Sequence, residues 1–209
     1  MASANGVFAP LPGNSHMFGL FRSKGNEAQI ERLNDAVMEQ ARQPQFYASL
    51  AVKDTLEGRF EMVVLHAFLL VRRLDKEPEP GPEIAKDLTD AVFARFEIAL
   101  RETGVSDIAV PKRMKKLASG YLGRARAYND ALDAADGLEL ARALARNVFG
   151  EDLPGDDEGL SGDGDQIPSR QAVALANYVR ASEHSLARLS LQQVLATELN
   201  WPDILEQAA

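Results

Sequence analysis

The sequence predicts an all-α protein, a single helical bundle domain with a C-terminal helical appendage after an acidic linker. Three observations lead there. Apolar residues recur at spacings of three and four along most of the chain. No run alternates with the period of two that a half-buried strand requires. Proline, glycine and capping residues punctuate the apolar stretches at helix-length intervals. With 209 residues the chain can bury a substantial core, and 45% hydrophobic with 26% charged residues is the balance of a folded protein. The expected divisions are an N-terminal arm over 1–24, a helical domain over 25–150, an acidic Gly/Asp-rich linker over 151–168 and C-terminal helices over 169–209.

The first residues are rich in Gly, Pro, Asn and Ser and lack both a basic start and a sustained apolar run. They read as an arm, neither a secretory signal nor an Arg-rich presequence. Ile30, Leu33, Val37 and Ala41 share a helix face, and Pro44 ends that pattern. Asp54 and Glu57 have capping-box spacing and predict a helix from about Thr55 to Leu74. Its middle, Met62 to Val71, is apolar on nearly every side, which marks a central helix. That run is about half the roughly 20 residues needed to span a bilayer. Lys76 to Glu83 reads as a stiff proline-rich loop.

Ile84, Leu88, Val92, Phe96 and Leu100 form the next i, i+4 row, and Gly104 closes it as a left-handed cap with Val105 folding back on Leu100. Pro111 sits where a first helical residue belongs. Met114, Leu117, Tyr121, Tyr128 and Leu132 then give a buried stripe. Asp136 and Glu139 repeat the capping spacing before Leu140, Leu144 and Val148, with Gly150 as the stop. Between residues 151 and 165 acids and glycines stand without a basic residue, the composition of a solvated linker. Val173, Ala176, Val179 and Leu186 predict a further helix, and a shorter one follows from Leu191 to Leu199.

Catalytic chemistry has little to stand on. The chain has no cysteine, which removes thiol nucleophiles, thiolate metal sites and disulfides together. His16, His66 and His184 lie in distant segments, so no paired metal-ligand spacing exists. No phosphate-binding glycine pattern or nucleophile elbow is present. Asp163 and Asp165 lack the rest of a calcium loop. No catalytic residue, metal or cofactor is expected. A net charge of −8 argues against a surface built for DNA.

Against that acidic background, Pro111 to Tyr128 carries Lys112, Arg113, Lys115, Lys116, Arg124 and Arg126 and no acid. Two readings stay open: a solvated face balanced by the acidic linker, or a contact for an anionic membrane surface or ribosomal RNA. His66, alone in an apolar helix, reads as a hydrogen-bonded core residue, and nothing beyond its type points to haem. Arg72 and Arg73 suit the end of their helix, where cations complement the dipole. Arg59 stands in the first turn, where a cation opposes the dipole, and so calls for an acidic partner.

The run QARQPQFYASLAVKDTLEGRFEMVVLHAFLLVRRL resembles the ubiquinol–cytochrome c chaperone family, the assembly factors of the cytochrome bc1 complex in mitochondria and alphaproteobacteria. So does ALRETGVSDIAVPKRMKKLASGYLGRARAYNDAL, followed by LARNVFG. The matching positions are Phe46, Tyr47, Val52, Asp54, Thr55, Gly58, Arg59, Phe60, His66, Arg72 and Arg73 in the first block. In the second they are Arg101, Glu102, Gly104, Asp107, Val110, Pro111, Lys112, Met114, Lys115, Gly123, Arg124 and Tyr128. The resemblance covers roughly Ile30 to Phe149. Ala51 and Lys53 depart from the Gly and Pro commoner in the family before the Asp-Thr pair.

The resemblance implies a non-catalytic chaperone of an alphaproteobacterial type, with cytochrome b or its nascent chain as client. It also implies a possible small partner subunit, proximity to the ribosome, and peripheral association with the inner membrane from the cytoplasmic side. Tyr47, Arg59, His66, Arg72, Arg73, Arg101, Glu102 and Asp107 become candidates for partner or client binding. Lys112, Arg113, Lys115, Lys116, Arg124 and Arg126 become candidates for membrane or ribosome contact. An apolar groove between helices would cover the client, and Arg59, Arg101, Glu102 and Asp107 would form a buried polar network shaping it. The alternative is a helical adaptor for a soluble protein, its last helices swinging on the acidic linker.

Overall fold

A computed structural model of the chain describes residues 24–134, 137–151 and 167–206, and among these all regular structure is helical. The predicted arm, most of the acidic linker and the Asp136 cap lie outside the described residues. The helices are α1 (Lys24–Ala41), α2 (Pro44–Ala48), α3 (Leu56–Asp75), α4 (Gly81–Glu102), α5 (Val110–Asp133), α6 (Gly137–Leu144), α7 (Arg170–Ala187) and α8 (Leu191–Leu195). A single π-turn over Ala145–Phe149 prolongs α6 until Gly150, at φ +67, stops it.

Helix α3 is the axis. Every residue from Glu61 to Leu74 is buried, because α1, α4, α5 and α7 all pack against it. Its start is capped by Thr55, whose hydroxyl accepts from the Gly58 amide at 3.2 Å. Asp54, the expected cap, instead pairs with Arg59. Gly58 is required for a steric reason: a Cβ there would come within 1.9 Å of the Lys53 carbonyl oxygen, so the loop lies directly on the helix.

Helices α3 and α4 form an antiparallel hairpin, and α4 and α5 form the next. Gly104 closes α4 at φ +81, and the Val105 amide donates to Leu100 at 3.2 Å, as the spacing predicts. Contacts from Glu61 to Arg124 and from Phe68 to Tyr128 set α5 parallel to α3. Those from His66 to Tyr178 and from Arg72 to Glu183 set α7 parallel to it as well.

Four elements differ from expectation. Helix α4 begins at Gly81, inside the predicted Lys76–Glu83 loop, because Pro82 is tolerated in a first turn, and α8 ends at Leu195 rather than Leu199. The five-residue α2 begins with Pro44 and buries Phe46, too short to leave a periodic signal. Helix α7 is no separate appendage: Leu175, Tyr178, Val179 and Leu186 belong to the same core cluster as Leu33, Leu69 and Leu140. Leu189, Val194 and Ile204 beyond it are buried there too.

Candidate functional site

The conspicuous residues separate into an interior set that holds α7 on α3 and an outer set at the end of the bundle where α3 begins. In the interior, His66 is fully buried. Its Nδ1 lies 2.7 Å from the Met62 carbonyl, so Nδ1 carries the proton and Nε2 accepts from the Tyr178 hydroxyl at 2.9 Å. Gln40 Nε2 in turn donates to that hydroxyl at 3.0 Å. Phe46 and Trp201 meet the imidazole edge-on, at 5.3 and 5.2 Å between centroids. Burial drives the His66 pKa down to about 4, which keeps the ring neutral at pH 7. All its polar atoms are used within the protein, and the expected core role is the one it has.

Nearly two turns on, Arg72 Nε donates to Glu183 at 2.8 Å and Nη2 to Asp133 at 2.5 Å, while Nη1 also bonds Asn129. Burial opposes its charge, but the two carboxylates outweigh that and raise its pKa. Arg73 reaches the end of α7, donating to the carbonyls of Leu186 at 2.9 Å and Leu189 at 2.5 Å. The Leu186 carbonyl also accepts the Leu189 amide at 3.2 Å where α7 ends, and a cation is well placed at a helix C-terminus. Arg72 and Arg73 therefore tie α3 to α5 and α7. Offered as client contacts from sequence, both are buried and consumed by these bonds.

Arg124 likewise turns inward. It makes a two-pronged pair with Glu61, both bonds at 2.5 Å, and Glu61 is only 7% exposed. Burial pushes the Glu61 carboxyl up, with Arg124 opposing. The sequence shows one basic segment, and the structure splits it by face. Lys112, Arg113, Lys115 and Lys116 are exposed and make no ion pair with a described residue. Arg126 is exposed with Asp130 at 3.9 Å.

The outer set does not form the expected buried network. Arg59 pairs with Asp54 at 2.6 Å, both half exposed, and its guanidinium stands 5.9 Å from the centre of the Tyr47 ring. The Asp54 hydrogen bond raises the Arg59 pKa. Tyr47 donates its hydroxyl to the Ala41 carbonyl at 2.6 Å. On α4, Arg101 bonds Glu97 at 2.8 Å and also Asp107, and all three are solvated. Glu102 is exposed. Pairs open to water neither need burial nor shape a groove; they are two separate surface clusters.

What sequence reading missed at this end is apolar exposure. Leu56 is 57% exposed, Ile98 55% and Ile108 94%. Behind them Phe60, Phe96, Phe93 and Tyr121 form a chain of ring contacts 4.8 to 5.7 Å apart. An isolated isoleucine between the Gly104 cap and Pro111 is the signal that could have drawn attention to the turn.

Nothing here assembles an acid–base or nucleophile set. An open cleft of about 530 Å³ between α1 and α8 offers Gln29, Arg32 and Gln192 beside leucines. Among the described residues no group of His, Asp and Glu is placed to hold a metal ion. No helix of the described residues is long and apolar enough to cross a membrane.

Comparison with known proteins agrees with this geometry. A crystal structure of the Cbp3 homolog from Brucella abortus superposes with a TM-score of 0.72 at 37% identity, covering 88% of this chain and 93% of that one. Ubiquinol-cytochrome-c reductase complex assembly factor 1 of Xenopus laevis is 21% identical over 85% of this chain and 82% of its own length. Its Mus musculus counterpart is also 21% identical, and there the match spans 55% of the relative's length. The family model for the ubiquinol–cytochrome c chaperones matches residues 48–201, which takes in α7 and α8 as well as the central hairpins. The chain belongs to the ubiquinol–cytochrome c chaperone family.

Proposed function

We propose that this protein is a non-catalytic assembly factor for the cytochrome bc1 complex, holding newly made cytochrome b until it is incorporated. The observation that carries the reading is the end of the bundle around the start of α3. There Leu56 and Ile98 are exposed, near the solvated clusters of Tyr47, Asp54 and Arg59 and of Glu97, Arg101 and Asp107. Apolar side chains cover a client helix, and a rim of charge orients it. The client is a helical membrane protein, so work at the inner membrane surface, near the ribosome and with a small partner subunit, fits the same role.

Antimycin-sensitive quinol–cytochrome c reductase activity in membranes of a deletion strain tests this. Activity should fall and return when the chain is supplied. Joint replacement of Tyr47, Arg59 and Arg101 by Ala should restore it poorly although the variant folds. Normal activity in the deletion strain sinks the reading and favours a helical adaptor, which would co-purify with a soluble protein.

A further inference from the structure

From Phe93 to Gly120 the only buried residue is Val110. Phe96 still packs on Phe60 of α3 and Arg95 still pairs with Asp35 of α1, so the exposed arm of the α4–α5 hairpin is its tip beyond Phe96. Phe60 meets Phe96, Phe93 meets Tyr121 and Phe68 meets Tyr128, so the first residue of α3 is level with about residues 114–116 of α5. At 1.5 Å per residue, the start of α5 runs about 6–9 Å past the start of α3.

The arm's local chemistry works against its own stability. Helix α5 has no side-chain cap at Ala109 and no acid in its first turn. Lys112 and Arg113 stand there instead, against the helix dipole, with Lys115 and Lys116 following. On the arm Arg101 is held by Glu97 and Asp107 and Glu102 is exposed, leaving these lysines and Arg113 as its unpaired cations. At the tip Ile108 is 94% exposed.

We propose that the α4–α5 arm docks on an anionic lipid bilayer, Ile108 entering the interface while Lys112, Arg113, Lys115 and Lys116 bind headgroup phosphates. Cations alone would suit RNA as well, but an isoleucine at the foremost point gains nothing from a phosphate backbone and gains from lipid. The assembly reading explains only why such a contact would be useful; the contact itself rests on the arm.

The chain's lack of cysteine allows a clean test. Full-length protein with Ile108→Cys carries one environment-sensitive fluorophore, and Glu83→Cys places the same probe at the far end of α4. Vesicles of phosphatidylcholine with about a third phosphatidylglycerol should blue-shift and brighten the probe at 108 and leave that at 83 silent. Pure phosphatidylcholine should change neither. Replacing Lys112, Arg113, Lys115 and Lys116 by Gln should weaken binding about fivefold per cation, more than a hundredfold together, with unchanged helicity.

A chain that stays free of anionic vesicles, or binds them with a silent probe at 108, overturns the proposal. Binding to a structured RNA but not to vesicles also overturns it. Reductase activity in the deletion strain is read separately, so failure here leaves the assembly reading standing.

Discussion

Ala51 adopts φ +56, a left-handed conformation that costs a residue with a Cβ about 1 kcal/mol or more. Glycine adopts this conformation without that cost, which gives a physical reason for the glycine that the resemblance leads one to expect here. The loop is held from both sides, since Val52 is buried and the Lys53 carbonyl lies against Gly58. Relaxation elsewhere is blocked. Ala51→Gly should therefore stabilise the protein by about 0.5–1 kcal/mol after the entropy cost of glycine in the unfolded chain. A urea midpoint that stays put or falls would refute this.

His66 gives the second residue-scale prediction. Its pKa falls from an unfolded value near 6.5 to about 4 in the fold. The unfolded chain thus binds more protons between these limits, and stability drops as pH falls through them. The shift corresponds to about 3 kcal/mol, present in full above pH 6.5 and lost by pH 4. Urea unfolding across that window should show the slope, and His66→Gln should lack most of it. Equal slopes in both proteins would place the titration elsewhere. The residue type and apolar setting of His66 were legible in the sequence. Its partner Tyr178 was not, being 112 positions away.

At the scale of elements, α5 shows why a charge run is ambiguous in one dimension. Helical periodicity says which residues share a face but not which face finds an acid, and Glu61 lies 63 positions from Arg124. The inward pair makes Arg124 a structural residue. Arg124→Met strands a buried carboxylate and should cost about 3 kcal/mol, whereas Glu61→Met with Arg124→Met should recover most of the loss. Thermal unfolding of the three variants reads this directly. A double variant no more stable than the single one would show that the pair is not coupled. The extents of α3 and α5 and the ends of α1 and α4 were legible because proline, glycine and apolar periodicity agree there, whereas the start of α4 was hidden by a proline-rich stretch whose last residues are helical. The short α2 escaped notice because five residues that begin with a proline carry no period.

On the scale of the whole molecule, the change of composition after Gly150 suggests a boundary, but the fold does not end there. Helix α7 supplies Tyr178 to His66, Glu183 to Arg72 and the Leu186 carbonyl to Arg73, so one side of α3 is satisfied only when α7 is in place. A linker's composition reports that it is solvated; it carries no information on whether the helices it joins share a core. A chain ending at residue 151 would uncover Phe46 and His66, now met by Tyr178 and Trp201, and would remove Leu175, Tyr178, Val179 and Leu186 from the core. It would also leave Arg73 without its carbonyl acceptors. Each large apolar side chain returned to water costs about 1.5–3 kcal/mol, and a domain holds only about 5–15 in reserve. The truncated chain should therefore lose its cooperative melting transition and bind a hydrophobic dye while keeping part of its helicity. A sharp two-state melt and a native-like near-ultraviolet spectrum would instead show that residues up to 151 fold alone. The swinging-arm adaptor would then be physically possible, and only in that case.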